Sequence, residues 1–322
     1  MRLRARWLIL LALALALVAG AVGLVWKRDM REIEVHLAGS ARVIQTRFGP
    51  VAYAEAGQGT PVLAIHGAGG GHDQGAILAQ AFLPEGTRWI APSRFGYPGS
   101  GLPADPSTAA QADAFAELLD ALGIDRVTVI AMSGGAPPAL QFALRHPGRV
   151  QALILMSLAP YAPLDAEGQE LPVPIWLYDA LFATDLPLWV VLRLSPRALA
   201  SIFDARPELT AGMTATEAAF LDAMIVAFLP VTLRRAGLAN EGAAIDPAYP
   251  IDRATIRVPA LLVHARDDRL TPFSTATSTA EGIAGAETLF VEAGGHLLLG
   301  HHDAVRQRIS EFLAVNALPA AE

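Results

Sequence analysis

Three separated groups of residues have the types needed for nucleophilic acyl transfer. Ser133 sits among small residues in Ala131-Met132-Ser133-Gly134-Gly135, His296 follows Gly294-Gly295, and the carboxylates Asp267 and Asp268 precede Leu270-Thr271-Pro272. A serine hydroxyl is a weak nucleophile until a base takes its proton, and an imidazole serves as that base when a third group orients it. Serine, histidine and carboxylate are therefore the set that an acyl-enzyme needs. The surroundings of the serine add to this. Residues 127–132 are an apolar, β-branched run that reads as a buried strand, and residues 139–146 read as a helix. Strand, tight turn and helix around a serine make a nucleophile elbow, which lifts the hydroxyl clear of the sheet edge. The usual G-x-S-x-G pattern begins here with Ala131. Taken alone, the stretch also fits a glycine-rich strand-to-helix loop with an incidental serine.

The elements that must position these residues alternate along the chain. Residues 61–65, 87–91, 150–156, 260–264 and 288–291 read as further strands, residues 108–122 as an amphipathic helix and 301–316 as a closing helix. Residues 33–56 alternate loosely and predict two or three antiparallel strands. Strands alternating with helices imply a mostly parallel sheet covered on both faces. Ser133, the acids and His296 then each lie just past the C-terminal end of a strand, where such a sheet presents its ligand crevice. The strand at 61–65 runs into His66-Gly67-Ala68-Gly69-Gly70-Gly71. No G-K-[ST] follows and the G-x-G-x-x-G spacing is absent, so a phosphate loop is excluded. A glycine loop at this place can instead turn a backbone N–H toward an oxyanion.

Residues 161–250 break the alternation. They predict proline-punctuated helices over 175–182, 188–194, 196–203 and 216–228, read as a helical cap inserted into the domain. Trp176, Tyr178, Phe182, Trp189, Met213, Phe220, Met224 and Phe228 are concentrated there. They pack the cap's own helices, or some of them face the main domain as an apolar pocket.

Hydrophobic residues make up 53% and charged residues 17% of the 322-residue chain, enough apolar content for a large core. The formal net charge of −7 gives no basic footprint for nucleic acid. The absence of cysteine removes disulfides, thiolate metal sites, a cysteine nucleophile and a lipidated N-terminal cysteine. Residues 7–25 carry no charge, are almost all Leu, Ala and Val, and are flanked by Arg2, Arg4, Arg6, Lys27 and Arg28. That length crosses a hydrocarbon core, and secretory apolar segments are usually shorter, so a retained anchor is expected with the remaining domain outside the cytoplasm. Cleavage and secretion is the alternative. The expected divisions are 1–28 as anchor, 29–160 and 251–322 as the two parts of the core, and 161–250 as the cap.

The quoted motifs give the chain a resemblance to the α/β-hydrolase fold superfamily over about residues 40–316, within it to serine esterases and lipases with a helical cap. The chain order Ser133, acid, His296 is the order of that superfamily. The resemblance implies Ser133 as nucleophile, His296 as general base, and Asp268 as the orienting acid. The family's acid stands four residues before a proline, which selects Asp268 over Asp267; relatives that carry it after the sixth strand make Asp165 a further candidate. The oxyanion donors implied are the N–H groups of Ala68 and Gly134. No cofactor or metal is implied, and the expected substrate is a small to medium apolar carboxylic ester, with thioester, lactone or amide as variants. A cofactor-free perhydrolase or haloperoxidase-like enzyme and a ligand-binding receptor on the same scaffold are the alternatives. His264 reads as a satisfied core histidine, His66 as a shaper of the oxyanion loop, and His301 and His302 as the start of a helix without metal-ligand spacing. Pro137 and Pro138 predict a distorted first turn after the elbow.

Overall fold

The buried run Val127–Met132 becomes the strand around which an eight-stranded sheet is laid out. The structure is a computed structural model that describes residues 2–161, 183–245 and 248–316. Its strands are β1 (Arg42–Thr46), β2 (Gly49–Ala56), β3 (Pro61–Ile65), β4 (Arg88–Pro92), β5 (Val127–Met132), β6 (Val150–Met156), β7 (Ala260–Ala265) and β8 (Glu287–Val291). In space they run β1-β2-β4-β3-β5-β6-β7-β8. The β1–β2 and β2–β4 pairs are antiparallel and every other pair is parallel. Ile65 stands opposite Ala131, Met132 opposite Met156, and Ala265 opposite Val291, so the loops after β3, β5, β6, β7 and β8 leave from one edge.

Successive side chains of β5 point to opposite faces, as strand geometry requires. Val129 and Ala131 join a core with α3 (Thr108–Ala121), α4 (Ala136–Arg145) and α9 (Phe273–Gly282). Ile130 and Met132 join a second core with α2 (His72–Phe82), α10 (His302–Asn316) and the helices that follow β6. Both faces of the sheet are therefore dry, which suits its continuous apolar strands.

Between β6 and β7 the described residues contain no strand. They form α5 (Leu186–Leu194), α6 (Pro207–Thr210), α7 (Ala215–Val226) and α8 (Arg235–Ala239), with short 3₁₀ turns at Ala200–Phe203 and Glu241–Ile245. Thr214 and Glu217 cap α7 reciprocally, side chain to backbone. The helix expected over 196–203 reduces to the turn at Ala200–Phe203, which Asp204 closes in a left-handed conformation (φ +55°). Pro187 does not break the apolar run 186–192; it occupies the first turn of α5, where its missing N–H costs little. The expected helix 175–182, with Trp176, Tyr178, Phe182 and Asp165, lies outside the described residues.

The largest departure from expectation is at the N-terminus. One helix, α1, runs Arg2–Gly39, so residues 33–39 are helical and only β1 and β2 remain of the expected strands. Met30, Ile33 and Leu37 recur at spacings of three and four and lay one face on the domain, a helical period that outweighs the loose alternation. Nor does the helix break at residue 28. Just past it, Asp29 accepts a hydrogen bond from Trp189 Nε1 at 3.1 Å and pairs with Arg193, while His72 Nε2 meets the Leu37 carbonyl at 3.0 Å. The preceding turns stand free, with residues 6–22 exposed on all sides. This helix is long and apolar enough to cross a membrane. A cavity of about 920 Å³ lies between α1, α2, α5 and α7, walled by Ile33, Leu37, Ile77, Trp89, Trp189 and Leu192. It touches none of the residues at the elbow.

Candidate active site

Ser133 stands at the end of β5 in a left-handed conformation, φ +52°, which a residue with a side chain adopts only when its surroundings force it. The chain turns through a 3₁₀ step, Ser133–Gly135, straight into α4, with Pro137 and Pro138 in the first turn of that helix. The turn is tight enough to dictate its neighbours. A Cβ on Gly135 would lie 2.6 Å from the Ile65 carbonyl oxygen, so only glycine fits there. Ala131, where glycine is usual, is fully buried in the core beneath the turn, and its methyl group is accommodated.

Asp268 and His296 come from the loops after β7 and β8 and meet directly. His296 Nδ1 donates to Asp268 Oδ2 at 2.9 Å. Asp268 also accepts from the Leu270 N–H at 2.8 Å, the Thr271 N–H at 3.0 Å and the Thr271 hydroxyl at 2.6 Å. Burial favours the neutral acid, but the His296 charge and these donors outweigh it and hold Asp268 well below the usual carboxylate range. For His296, burial favours the neutral ring, yet the adjacent Asp268 raises its pKa. Ser133 Oγ makes no hydrogen bond to His296 Nε2; contacts of this kind often tighten only with substrate bound. The two loops are tied together from below. Ser157, after β6, donates to the His296 carbonyl at 2.7 Å, and two residues on the Ala159 N–H donates to the Ser133 carbonyl at 3.2 Å.

Asp267 faces elsewhere. It accepts from the Gly295 N–H at 2.9 Å and pairs with Arg206 of the intervening helical segment, fastening the histidine loop to that segment. Asp204, from the same segment, is buried near His296 and adds to the field that raises the imidazole. A Cβ on Gly295 would fall 2.9 Å from the Asp204 carbonyl oxygen and 2.7 Å from Leu209, so glycine is needed for this approach. His264 is fully buried, 3.6 Å from Asp268, and meets the Thr271 carbonyl with Nε2 at 3.2 Å. Its Nδ1 has no partner, so the expected fully satisfied core histidine is only half satisfied. Burial keeps its pKa low and the ring neutral.

The glycine loop after β3 folds over Ser133. Gly67 is so close that a Cβ would sit 3.1 Å from the Ser133 Cβ, and a Cβ on Gly134 would sit 3.2 Å from the Ala68 nitrogen. The backbones of Ala68 and Gly134 therefore border one space beside the serine. His66 shapes this loop: Nδ1 donates to the Gly67 carbonyl at 2.7 Å and Nε2 accepts from the Arg94 N–H at 2.9 Å. Burial holds its pKa well below the ordinary histidine value, which keeps it neutral for both roles. Phe228 lies over the loop so closely that a Cβ on Gly69 would collide with its ring at 2.2 Å. His302 packs between Phe82 and Phe220 and meets the Leu297 carbonyl at 2.9 Å. Among the described residues no cluster of three His, Asp or Glu side chains is arranged to hold a metal ion.

Sequence reasoning missed Arg94, Tyr97, Ser157, Asp204 and Glu241. Each reaches the site from an element distant in sequence. Only Arg94 carried a local signal, as a cation directly after a buried strand.

Set beside known proteins, residues 60–303 match the family model described as alpha/beta hydrolase fold. The chain belongs to that family, whose named homologues include hydrolases and esterases, and it is an enzyme of that class. It is 30% identical over 267 residues to a 2-hydroxymuconate semialdehyde hydrolase from Pseudomonas sp. (strain CF600), spanning 81% of this chain and 89% of the relative. It is 35% identical over 222 residues to a homoserine O-succinyltransferase from Xanthomonas campestris, covering 66% of this chain and 59% of that one. Among solved structures, an alpha/beta hydrolase fold protein from Nakamurella multipartita superposes with TM-score 0.68 at 28% identity, over 85% of this chain and 99% of the other.

Proposed function

We propose that this chain is a serine hydrolase that cleaves a carboxylic ester through an acyl-enzyme on Ser133. The reading rests above all on the 2.9 Å hydrogen bond from His296 Nδ1 to the buried Asp268, which leaves Nε2 as the free acceptor of an oriented imidazole. Ser133 attacks the scissile carbonyl as His296 takes its proton. The oxyanion is held by the N–H groups of Ala68 and Gly134, each such donor contributing about 3 kcal/mol in the transition state. His296 then protonates the departing alkoxide, and a water activated by the same ring releases the acyl group. Phe228 and Leu209 supply apolar surface for that group. Fluorophosphonate labelling of the wild type and of Ser133→Ala, with p-nitrophenyl butyrate turnover alongside, tests the reading. Labelling and turnover in the wild type and neither in the variant are expected; turnover that survives in Ser133→Ala removes the nucleophile.

A second reading has one observation in its favour, the likeness to 2-hydroxymuconate semialdehyde hydrolases. It takes the same serine and histidine to 2-hydroxymuconate semialdehyde in place of an ester. Assay of 2-hydroxymuconate semialdehyde beside the p-nitrophenyl ester separates the two by kcat/KM. The exposed apolar part of α1 supports a membrane anchor; release of the chain from membranes by alkaline carbonate would sink that part.

A further inference from the structure

The segment that crosses over the sheet after β6 meets the oxyanion loop through Phe228 over Gly69, through Arg234, which donates to the Gly70 carbonyl, and through Glu241. Its docking is close. The Gly237 N–H donates to the Gly96 carbonyl at 2.9 Å, Asn240 Nδ2 donates to the Pro106 carbonyl at 2.9 Å, and a Cβ on Gly237 would strike the Tyr97 ring at 2.4 Å. Glu241 is thereby set over Gly134, with Oε2 2.6 Å from where a Gly134 Cβ would be.

Its other carboxylate oxygen holds two arms. Oε1 accepts from Arg94 Nη2 at 2.6 Å and from the Tyr97 hydroxyl. Both partners continue to the glycine loop after β3. Arg94 Nε donates to the His66 carbonyl at 3.1 Å, and the Tyr97 hydroxyl accepts from the Gly69 N–H at 3.1 Å. His66 and Gly69 flank Gly67-Ala68, so the stretch that carries the Ala68 N–H is held from both ends by groups that converge on one carboxylate oxygen. Burial keeps Tyr97 protonated far beyond its ordinary range, so its hydroxyl stays a donor. Burial opposes the Arg94 charge, but Glu241 more than restores it.

We infer that Glu241 is a positioning residue that sets the oxyanion loop, so that the Ala68 donor is in place only while the crossing segment is seated. An oxyanion donor acts only when aimed at the position of the transition-state oxygen, so slack in this loop is expressed in kcat and leaves ground-state binding largely alone. The inference rests on the proposed roles of Ser133, Ala68 and Gly134.

The test compares Glu241→Ala, Glu241→Gln and Tyr97→Phe in the full-length protein with p-nitrophenyl butyrate. Glu241→Ala is expected to lower kcat about tenfold or more with KM within twofold, and to weaken a trifluoromethyl ketone inhibitor by the same factor. Glu241→Gln is expected to recover most of that loss, because its amide oxygen can accept from both Arg94 and Tyr97. Tyr97→Phe is expected to lose part of it, and to add nothing when combined with Glu241→Ala. The acid limb of the pH profile should not move in any variant. A Glu241→Ala enzyme with unchanged kcat, a rise in KM alone, or a Gln variant no better than Ala overturns the inference. Should Glu241→Ala fail to fold, Tyr97→Phe decides: unchanged kcat overturns it. Turnover retained by Ser133→Ala would instead defeat the nucleophile assignment, a separate failure.

Discussion

At the residue scale, two adjacent carboxylates do different work. Asp268 is buried against His296 and three further hydrogen-bond donors, whereas Asp267 ties Gly295 to Arg206. Ser133→Ala and His296→Ala are each expected to lower kcat by several orders of magnitude, because such groups act as a unit. Asp268→Asn should cost less but still at least a hundredfold, and Asp267→Asn far less than that. Steady-state kinetics on the four variants checks this; a damaging Asp267→Asn beside a mild Asp268→Asn would reverse the roles. The pH dependence carries its own sign. With His296 as the proposed base, activity is expected to need the neutral ring and to rise through a pKa lifted above the ordinary histidine value by Asp268 despite burial. Asp204 contributes to that lift, so Asp204→Asn should move the acid limb to lower pH. A kcat/KM profile that stays in place, or moves upward, denies Asp204 this influence.

At the scale of elements, the crossing segment has defined fastenings to the sheet domain. Gly96 and Gly237 let two backbones touch, and Gly69 and Gly295 do the same for Phe228 and Leu209. A segment seated this closely puts aromatic surface against the loop that borders Ser133, and burial of an acyl chain gains about 0.8 kcal/mol per CH₂. The kcat/KM of p-nitrophenyl esters should therefore climb from acetate toward medium chains and flatten in Phe228→Ala. A series that falls steadily with chain length would mean that these rings only pack the segment's own helices.

At the scale of the molecule, α1 has two parts with different solvents. Residues 7–22 are apolar and exposed, while Asp29, Met30 and Leu37 are buried on the domain. A chain starting at Lys27 is expected to be soluble without detergent and to melt near the full-length temperature. One starting at Ala41 loses the buried Met30 and Leu37 and leaves Trp189 and His72 without their α1 partners. The lost apolar burial alone is worth about 3–5 kcal/mol. Thermal melts of the two shortened chains check this; equal midpoints would mean that the docked turns add nothing.

The sequence by itself determined what depends on local period and small menus of residues. The alternation of buried strands and helices specified the parallel part of the sheet, and the order Ser133, acid, His296 was readable because each follows an apolar run. The glycine loop after β3 was equally legible. Two things were decided only by tertiary structure. Residues 33–39 became helix because their apolar face found the domain to lie on, a partner that no local pattern reveals. The resemblance had already selected Asp268 over Asp267, and the fold adds the physical reason, since Arg206 and Gly295 claim the other carboxylate. Glu241, Tyr97, Ser157 and Asp204 came to the site from distant elements without a local signal, and Glu241, whose partners Tyr97 and Arg94 lie 144 and 147 residues away, leaves no mark in its own neighbourhood.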